Sequence, residues 1–473
     1  MKTIIGLEIH LELATESKMF CSCKNEFGQA PNTVVCPVCL GHVGTLPRIN
    51  KTAVEYAIKA GLAFDCDIRT NMKFDRKKYY YPDLTKGYQI TQQDEPIATD
   101  GYLEVEGDEG LKKVRIERIH MEEDTGKSTH TADGHTLLDY NRAGVPLIEI
   151  VTRPDMSSSE EARQFLETLR QRLKFIGVSD VKMEEGSLRC DVNINIKDEE
   201  GNRTGIAEIK NLNSFRAVVR AIEFEEKRQA NMLANNELGT KETRRWDDVS
   251  QTTILMRKKD EENDYRFTVD SDLPRLVLEE SYIQEIKDNL PELPNEKRKR
   301  YQEEYKLSDY DANVLSQSKE VADLFEQTLA EIHDPQLVAN WIQTEVMRRL
   351  KEYEIDASEM KLSIANFSKL LNLVKEDKIS NNVGKKVLRD IFDTNEDPEK
   401  LVEERGLIQI SDTSFLDNLV KETLDENPQS IEDYKAGKDR ALGFLMGQIM
   451  KKSKGKANPQ QVNSMLKEEL DKR

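Results

Sequence analysis

The residues of this chain that can do chemistry lie on short stretches in which polar and apolar side chains alternate. In residues 5–13 the apolar side chains occupy the odd positions, so on a strand Glu8, His10 and Glu12 share the opposite face. One such strand is equally a solvated sheet surface, but the pattern recurs. Residues 187–196 set Arg189, Asp191, Asn193 and Asn195 against an apolar side that includes Cys190, which reads as core. Residues 205–210 interleave Glu208 and Lys210 with apolar neighbours. Glu149 stands inside the apolar run 147–151, where an ionised carboxylate is costly unless it is paired or bound to metal. His120, Glu122, Glu123 and Asp124 follow one another closely, just before Lys127.

Carboxylates gathered on one sheet face cannot all ionise without a counter-charge, and a divalent cation supplies one. Oxygen ligands suit Mg²⁺, which keeps substrate phosphates in its shell. With Lys and Arg nearby, such a face is equipped for phosphoryl transfer from ATP. Other sites do not fit. Residues 126–128 read Gly-Lys-Ser, but Met121 stands where a phosphate loop needs glycine. There is no G-x-S-x-G elbow and no Gly/Ser-rich segment to house a serine-based amidase.

Four of the six cysteines, Cys21, Cys23, Cys36 and Cys39, form a C-x-C…C-x2-C set. In a reducing compartment this spacing reads as a tetrahedral zinc site held by two hairpins; four unliganded thiols is the other reading.

These residues need elements to hold them. The chain has 473 residues, enough for about three domains, and 37% of them are apolar. No apolar run reaches the length of a membrane span, and Glu8 and His10 interrupt the N-terminal apolar stretch that a signal peptide would need. A cytoplasmic protein is expected. The net charge of −18 argues against a basic coat for nucleic acid but leaves room for a local basic site. Residues 1–292 mix strand and helix patterns, with helical spacing over 159–176. Pro291 and Pro294 mark a boundary, after which 293–406 and 407–473 read as helices. In the last segment Leu442, Leu445, Met446 and Ile449 form one helical face, Gly455 ends that helix, and Asn458-Pro459 caps the next. Lys438, Arg440, Lys451, Lys452, Lys454 and Lys456 stand against Asp439 alone. This excess suits either a solvated helical hairpin or contact with an RNA backbone.

The long motifs GLEIHLEL (6–13), CPVCLG (36–41), KFDRK (73–77), YYPDLTKGYQI (80–90), HMEEDTGKSTH (120–130), DYNRAGVPLIEIV (139–151), VSDVKMEEGSLRCDVNI (178–194) and EIKNLNSF (208–215) resemble one family, the B subunits of the glutamyl-tRNA(Gln)/aspartyl-tRNA(Asn) amidotransferases. The resemblance continues through residues 431–463 and so covers the chain from end to end. It implies an α+β fold: an N-terminal cradle of glutamine synthetase type, a helical domain and a helical tail. It implies a ligase that uses ATP and Mg²⁺ to phosphorylate the side-chain carboxylate of misacylated Glu-tRNA(Gln) or Asp-tRNA(Asn), and then amidates it with ammonia. The ammonia would come from the glutaminase, or A, partner of the complex, with its small C partner holding the two together.

Carried onto this sequence, the resemblance makes Glu8, His10, Glu122, Glu123, Glu149, Asp191, Asn193 and Lys210 catalytic, with the first five holding Mg²⁺. Lys77, Lys86 and Arg189 would neutralise phosphate, and Lys127 would stand at the ammonia exit or in a salt bridge. The zinc of the cysteine set would be structural, and the tail cations would contact tRNA. The sequence departs from the family pattern at Thr85, at 267–272 and at 379–384, which bears on loop geometry. A non-catalytic tRNA-binding scaffold is the alternative; it gives no reason for Glu149.

Overall fold

In the computed structural model the described residues are 1–107, 110–258, 264–409, 413–435, 438, 440–453 and 457–473. They form two compact units, Met1–Pro294 and Asn295–Arg473. The first unit begins with β1 (Lys2–Glu12), α1 (Lys51–Ala63), β2 (Asp67–Ile68), β3 (Asn71–Met72), β4 (Asp75–Lys78), β5 (Tyr88–Thr91), β6 (Ala98–Gly107) and β7 (Gly110–Glu123). It continues with β8 (Lys127–His130), β9 (Thr136–Asp139), β10 (Pro146–Thr152), α2 (Ser159–Phe175), β11 (Leu188–Lys197), β12 (Ala207–Lys210) and α3 (Phe215–Ala234). β13 (Glu242–Asp247), β14 (Thr252–Lys258), β15 (Thr268–Val269), β16 (Leu276–Val277) and α4 (Glu280–Asp288) complete it.

Nine strands build one sheet in the order β14-β13-β12-β11-β1-β10-β7-β6-β2. All neighbours run antiparallel except β12 and β13. β1 lies at its centre because both its faces are committed. Ile5, Leu7, Ile9 and Leu11 are fully buried on one side and join the core cluster under α1, α2 and α3, while Glu8, His10 and Glu12 take the other. The same parity governs β11, where Leu188, Cys190, Val192 and Ile194 are buried. The helices that cover the apolar face carry their own start signals: Ser158 caps α2 by accepting from Glu161 N, and Ser214 caps α3 by accepting from Ala217 N. A smaller sheet, β15-β4-β5, contributes Lys77 and Thr91 to the polar side, and β8 and β9 form a separate hairpin.

The second unit is helical and has two separate apolar clusters, one from Tyr301 to Val402 and one from Leu416 to Leu470. The 379–384 segment departs from the family pattern but is locally well built. Ile379 is buried, Ser380 caps helix Asn381–Thr394 by accepting from Val383 N, and a Cβ on Gly384 would approach Trp341 and Val374 to 2.8 Å. In the C-terminal segment Leu445, Ile449, Val462, Leu466 and Leu470 close one core, and Asn458 caps helix Pro459–Lys472 by accepting from Gln460 N and Gln461 N. The helix end expected at Gly455 lies outside the described residues. Among the described residues no helix is long and apolar enough to cross a membrane.

Ile9 sits directly behind the Glu8–His10 row with no exposed surface. Ile9→Ala should therefore lower stability by about 2–5 kcal/mol, since the central strand cannot collapse into the cavity. Chemical denaturation of the two proteins measures the difference.

Candidate active site

Register turns four separate stretches of sequence into one polar floor. His10 of β1 lies opposite Glu149 of β10 and Arg189 of β11, and Glu149 in turn lies opposite His120 of β7. One step along, Glu8 lies opposite Val151 and Asp191. The row of Asn193 continues through Glu208 of β12. Above the floor is a cavity of about 480 Å³, lined among others by Glu8, His10, His120, Glu149, Asp191, Asn193, Glu208 and Lys210. Lys77, Thr91, Tyr265 and Phe267 line it as well.

Two groups on this floor have the geometry of cation ligands. In the first, His10 Nδ1 lies 3.2 Å from Glu122 Oε1 and 3.9 Å from Glu149 Oε2. In the second, Glu8, Asp191 and Glu208 converge. Within each group the ligand atoms lie within 4.8 Å of one another. Ligands around an octahedral Mg²⁺ are about 3.0 Å apart when adjacent and about 4.2 Å apart when opposite, a span that contains both His10 distances.

The floor also carries internal counter-charges. His120 Nε2 stands 3.3 Å from Glu149 and 3.6 Å from Glu122. Burial works against a charged ring there, but Glu149 and Glu122 prevail and raise His120 to about 9. Burial likewise opposes ionisation of Glu149, yet His120 and His10 hold it down at about 2. His10 is raised despite burial by Glu122 and Glu149, so a proton and a metal compete for its Nδ1. Glu8 is pushed up by burial and by Glu149, and Asn193 Nδ2 donates to it at 2.8 Å. Lys210 bridges Asp191 and, at 2.9 Å, Glu208.

The expected residues do not all meet here. Glu8, His10, Glu149, Asp191, Asn193 and Lys210 line the cavity, as does Lys77, whose Nζ lies 4.9 Å from the centre of the Tyr265 ring. Glu122 sits beneath, holding His10 and accepting from Thr91 Oγ1 at 3.3 Å. Glu123 differs from expectation. Adjacent residues on a strand face opposite sides, and Glu123 turns from the floor to pair with Lys86 and to accept from Ile90 N at 3.1 Å. Two cations expected at phosphate are thus held elsewhere: Lys86 by Glu123, and Arg189 by Asp124 at 2.6 Å. Lys127 stands exposed on β8, outside the cavity lining. The expected set omitted His120 and Glu208 as ligand-region residues. Both were legible by parity, His120 two residues before Glu122 and Glu208 two before Lys210.

The departures from the family pattern are also placed. Thr85 Oγ1 donates to Cys39 O at 2.9 Å. Asp270 and Asp272 clamp Arg76 at 2.8 and 2.7 Å, and the Arg76 guanidinium lies 4.4 Å from the Tyr88 ring centre. Cys21, Cys23, Cys36 and Cys39 converge, with Cys36 and Cys39 Sγ 3.9 Å apart. Tetrahedral zinc at about 2.3 Å from each sulfur requires about 3.8 Å between sulfurs, so the four residues fit that ion. Cys39 is lowered to about 4, chiefly by its hydrogen bond to Cys21 and with help from buried Lys18.

In the tail, Lys438 pairs with Asp433 at 2.9 Å, and Lys452 with Glu422 at 3.0 Å and Glu426 at 2.7 Å. Arg440 and Lys451 are exposed on the same helix. Lys454 and Lys456 lie outside the described residues.

Residues 3–284 match the family described as the GatB/GatE catalytic domain, and residues 323–470 match the GatB domain. The chain belongs to the GatB/GatE family. Its relatives include the B subunit of the aspartyl/glutamyl-tRNA(Asn/Gln) amidotransferase of Finegoldia magna, 57% identical over 99% of this chain and 100% of the relative. The protein of the same name from Clostridium tetani is 50% identical over 100% of this chain and 99% of its own length. That from Thermotoga neapolitana is 48% identical over 99% of each. The polar floor lies wholly inside the first matched region, and the basic tail inside the second.

Purified protein should contain about one zinc per chain, and Cys23→Ser should lose most of it, because three thiolates leave the fourth corner to water. Metal analysis of the two proteins decides this; no zinc in the parent protein contradicts the site.

Proposed function

We propose that this chain is the B subunit of a tRNA-dependent amidotransferase and carries its ATP-dependent ligase site on the polar sheet floor. The observation that carries this reading is the pair of adjoining cation-ligand groups, His10–Glu122–Glu149 and Glu8–Asp191–Glu208, on the floor of one cavity. The names of relatives at 48–57% identity over nearly the whole chain point the same way. We read the sheet as a cradle of glutamine synthetase type, with its helices behind and its acids in front.

ATP would phosphorylate the side-chain carboxylate of Glu-tRNA(Gln) or Asp-tRNA(Asn), forming an acyl phosphate and ADP. Ammonia would then displace phosphate to give the amide. Mg²⁺ held here would supply positive charge to offset the negative charge that develops in phosphoryl transfer. His10, Glu122 and Glu149 would hold one ion, and Glu8, Asp191 and Glu208 a second. Asn193 orients Glu8 through its amide. Lys210, whose proton is held against burial by Asp191 and Glu208, supplies a fixed positive charge beside the transferring group. Asp191 would receive a proton from the attacking ammonia. The supply of ammonia is assigned to the glutaminase, or A, partner, with Lys127 near its route, and the small C partner would secure the assembly in the cytoplasm. The zinc site is structural in this reading, tying the 80–87 loop to Cys39 through Thr85.

Glu149→Gln removes the carboxylate shared by both histidines and one metal group. In the reconstituted complex it should reduce ATP-dependent amidation of Glu-tRNA(Gln) by at least about 10²-fold while glutamine hydrolysis persists. Unchanged amidation would reject the site.

The tail is assigned to tRNA. Replacing Lys438, Arg440 and Lys451 with Gln should weaken tRNA binding and reduce the salt dependence of log K by about two to three units, as expected for lost phosphate contacts. Filter binding across a salt series measures both; an unchanged slope contradicts the assignment.

A further inference from the structure

We infer that Arg118, Lys241 and Arg257 form the phosphate clamp of this site, in place of Lys86 and Arg189; the inference rests on the nucleotide-dependent reading above. All three line the cavity. Among the described residues none of them has an ion-pair partner. Arg118 is the most telling, because its Nε is buried without any hydrogen-bond partner. An orphaned buried donor of this kind is costly unless a ligand completes it.

Register explains why these three cations, dispersed in sequence, act on one anion. The row from Asp191 through Glu8 and Val151 reaches Arg118 on β7, beyond the last acid of the cavity lining, and runs on to Thr99 of β6. The row from Asn193 through Glu208 and Thr243 ends on β14 at Arg257. Lys241 immediately precedes β13, next to that second end. The acids therefore occupy the middle of the floor, with a cationic pole on each side.

A nucleoside triphosphate with its divalent cation matches this distribution. Acids alone would repel the phosphates, so the two acid groups would hold the divalent cation. Phosphate oxygens that do not face the metal then need donors beyond the acids, which is where Arg118 and the Lys241–Arg257 pole stand. Guanidinium groups suit the task because they meet phosphate with two parallel hydrogen bonds. Lys86 and Arg189 pair with Glu123 and Asp124 and do not line the cavity; Arg189 Nε, buried without a partner like Arg118 Nε, therefore does not face the same space.

The test uses the reconstituted amidotransferase with Arg118→Gln, Arg118→Lys and the double variant Lys241→Gln/Arg257→Gln. The KM for ATP should rise at least about tenfold in Arg118→Gln and in the double variant, with the KM for Glu-tRNA(Gln) within about twofold of the parent. Arg118→Lys should recover part of the loss. The dissociation constant of a non-hydrolysable ATP analogue with Mg²⁺ should rise in parallel. An unchanged ATP KM, or a rise confined to the tRNA KM, overturns the clamp. The second result would make these cations an RNA contact. If Arg118→Gln fails to fold, the double variant decides, since Lys241 and Arg257 are exposed. Failure of the underlying reading looks different: Glu149→Gln would then amidate normally.

Discussion

The structure is organised around one electrostatic constraint: Glu8, Glu122, Glu149, Asp191 and Glu208 share the polar face of a single sheet. Carboxylates this close repel one another, and burial adds to the cost of ionising each. The fold answers with cations placed between them. His10 and His120 lie between Glu122 and Glu149, which raise both rings against burial, and Lys210 is held between Asp191 and Glu208. These protein charges offset the carboxylates from within the fold. The helices behind the sheet serve this arrangement by fixing the strands that carry it.

A surrounding shell keeps the floor in register. Arg189 and Arg142 meet on Asp124, at 2.6 and 3.2 Å, beside Glu12. Burial and Asp124 push Glu12 up to about 7, so this edge holds a carboxyl poised between its two states. On the other side, Lys86 joins the cysteine knuckle to Glu123. A Cβ on Gly41 would come within 2.7 Å of Lys86 Cγ, and Thr85 anchors the adjoining backbone to Cys39. The cysteine site thus braces the loop that carries Thr85 and Lys86, outside the cavity lining.

The period-two alternation made the polar faces of β1, β10 and β11 legible from sequence, because a strand has only two sides. Helix 159–175 was legible from its apolar spacing, and the last helix from Asn458-Pro459. Register was not. Glu8 and Asp191 are neighbours only because β1 and β11 pair across the length of the unit, and no local pattern specifies that. Treating His120 to Asp124 as one cluster ignored the parity that separates Glu122 from Glu123. Arg118, Lys241 and Arg257 gave no local signal, since an isolated basic residue on a strand is ordinary surface until the cavity above it is known. The short strands of the β15-β4-β5 sheet depend on long-range pairs such as Arg76 with Asp270, which spacing cannot reveal.

In the proposed site the floor would hold two divalent cations through two distinct ligand groups. Titration with Mn²⁺, followed by electron paramagnetic resonance in the presence of a non-hydrolysable ATP analogue, tests it most directly. About two ions should bind per chain, with Glu149→Gln losing one and Glu208→Gln losing the other. Stoichiometric binding that neither substitution alters, or no binding above that of a denatured control, would contradict the account.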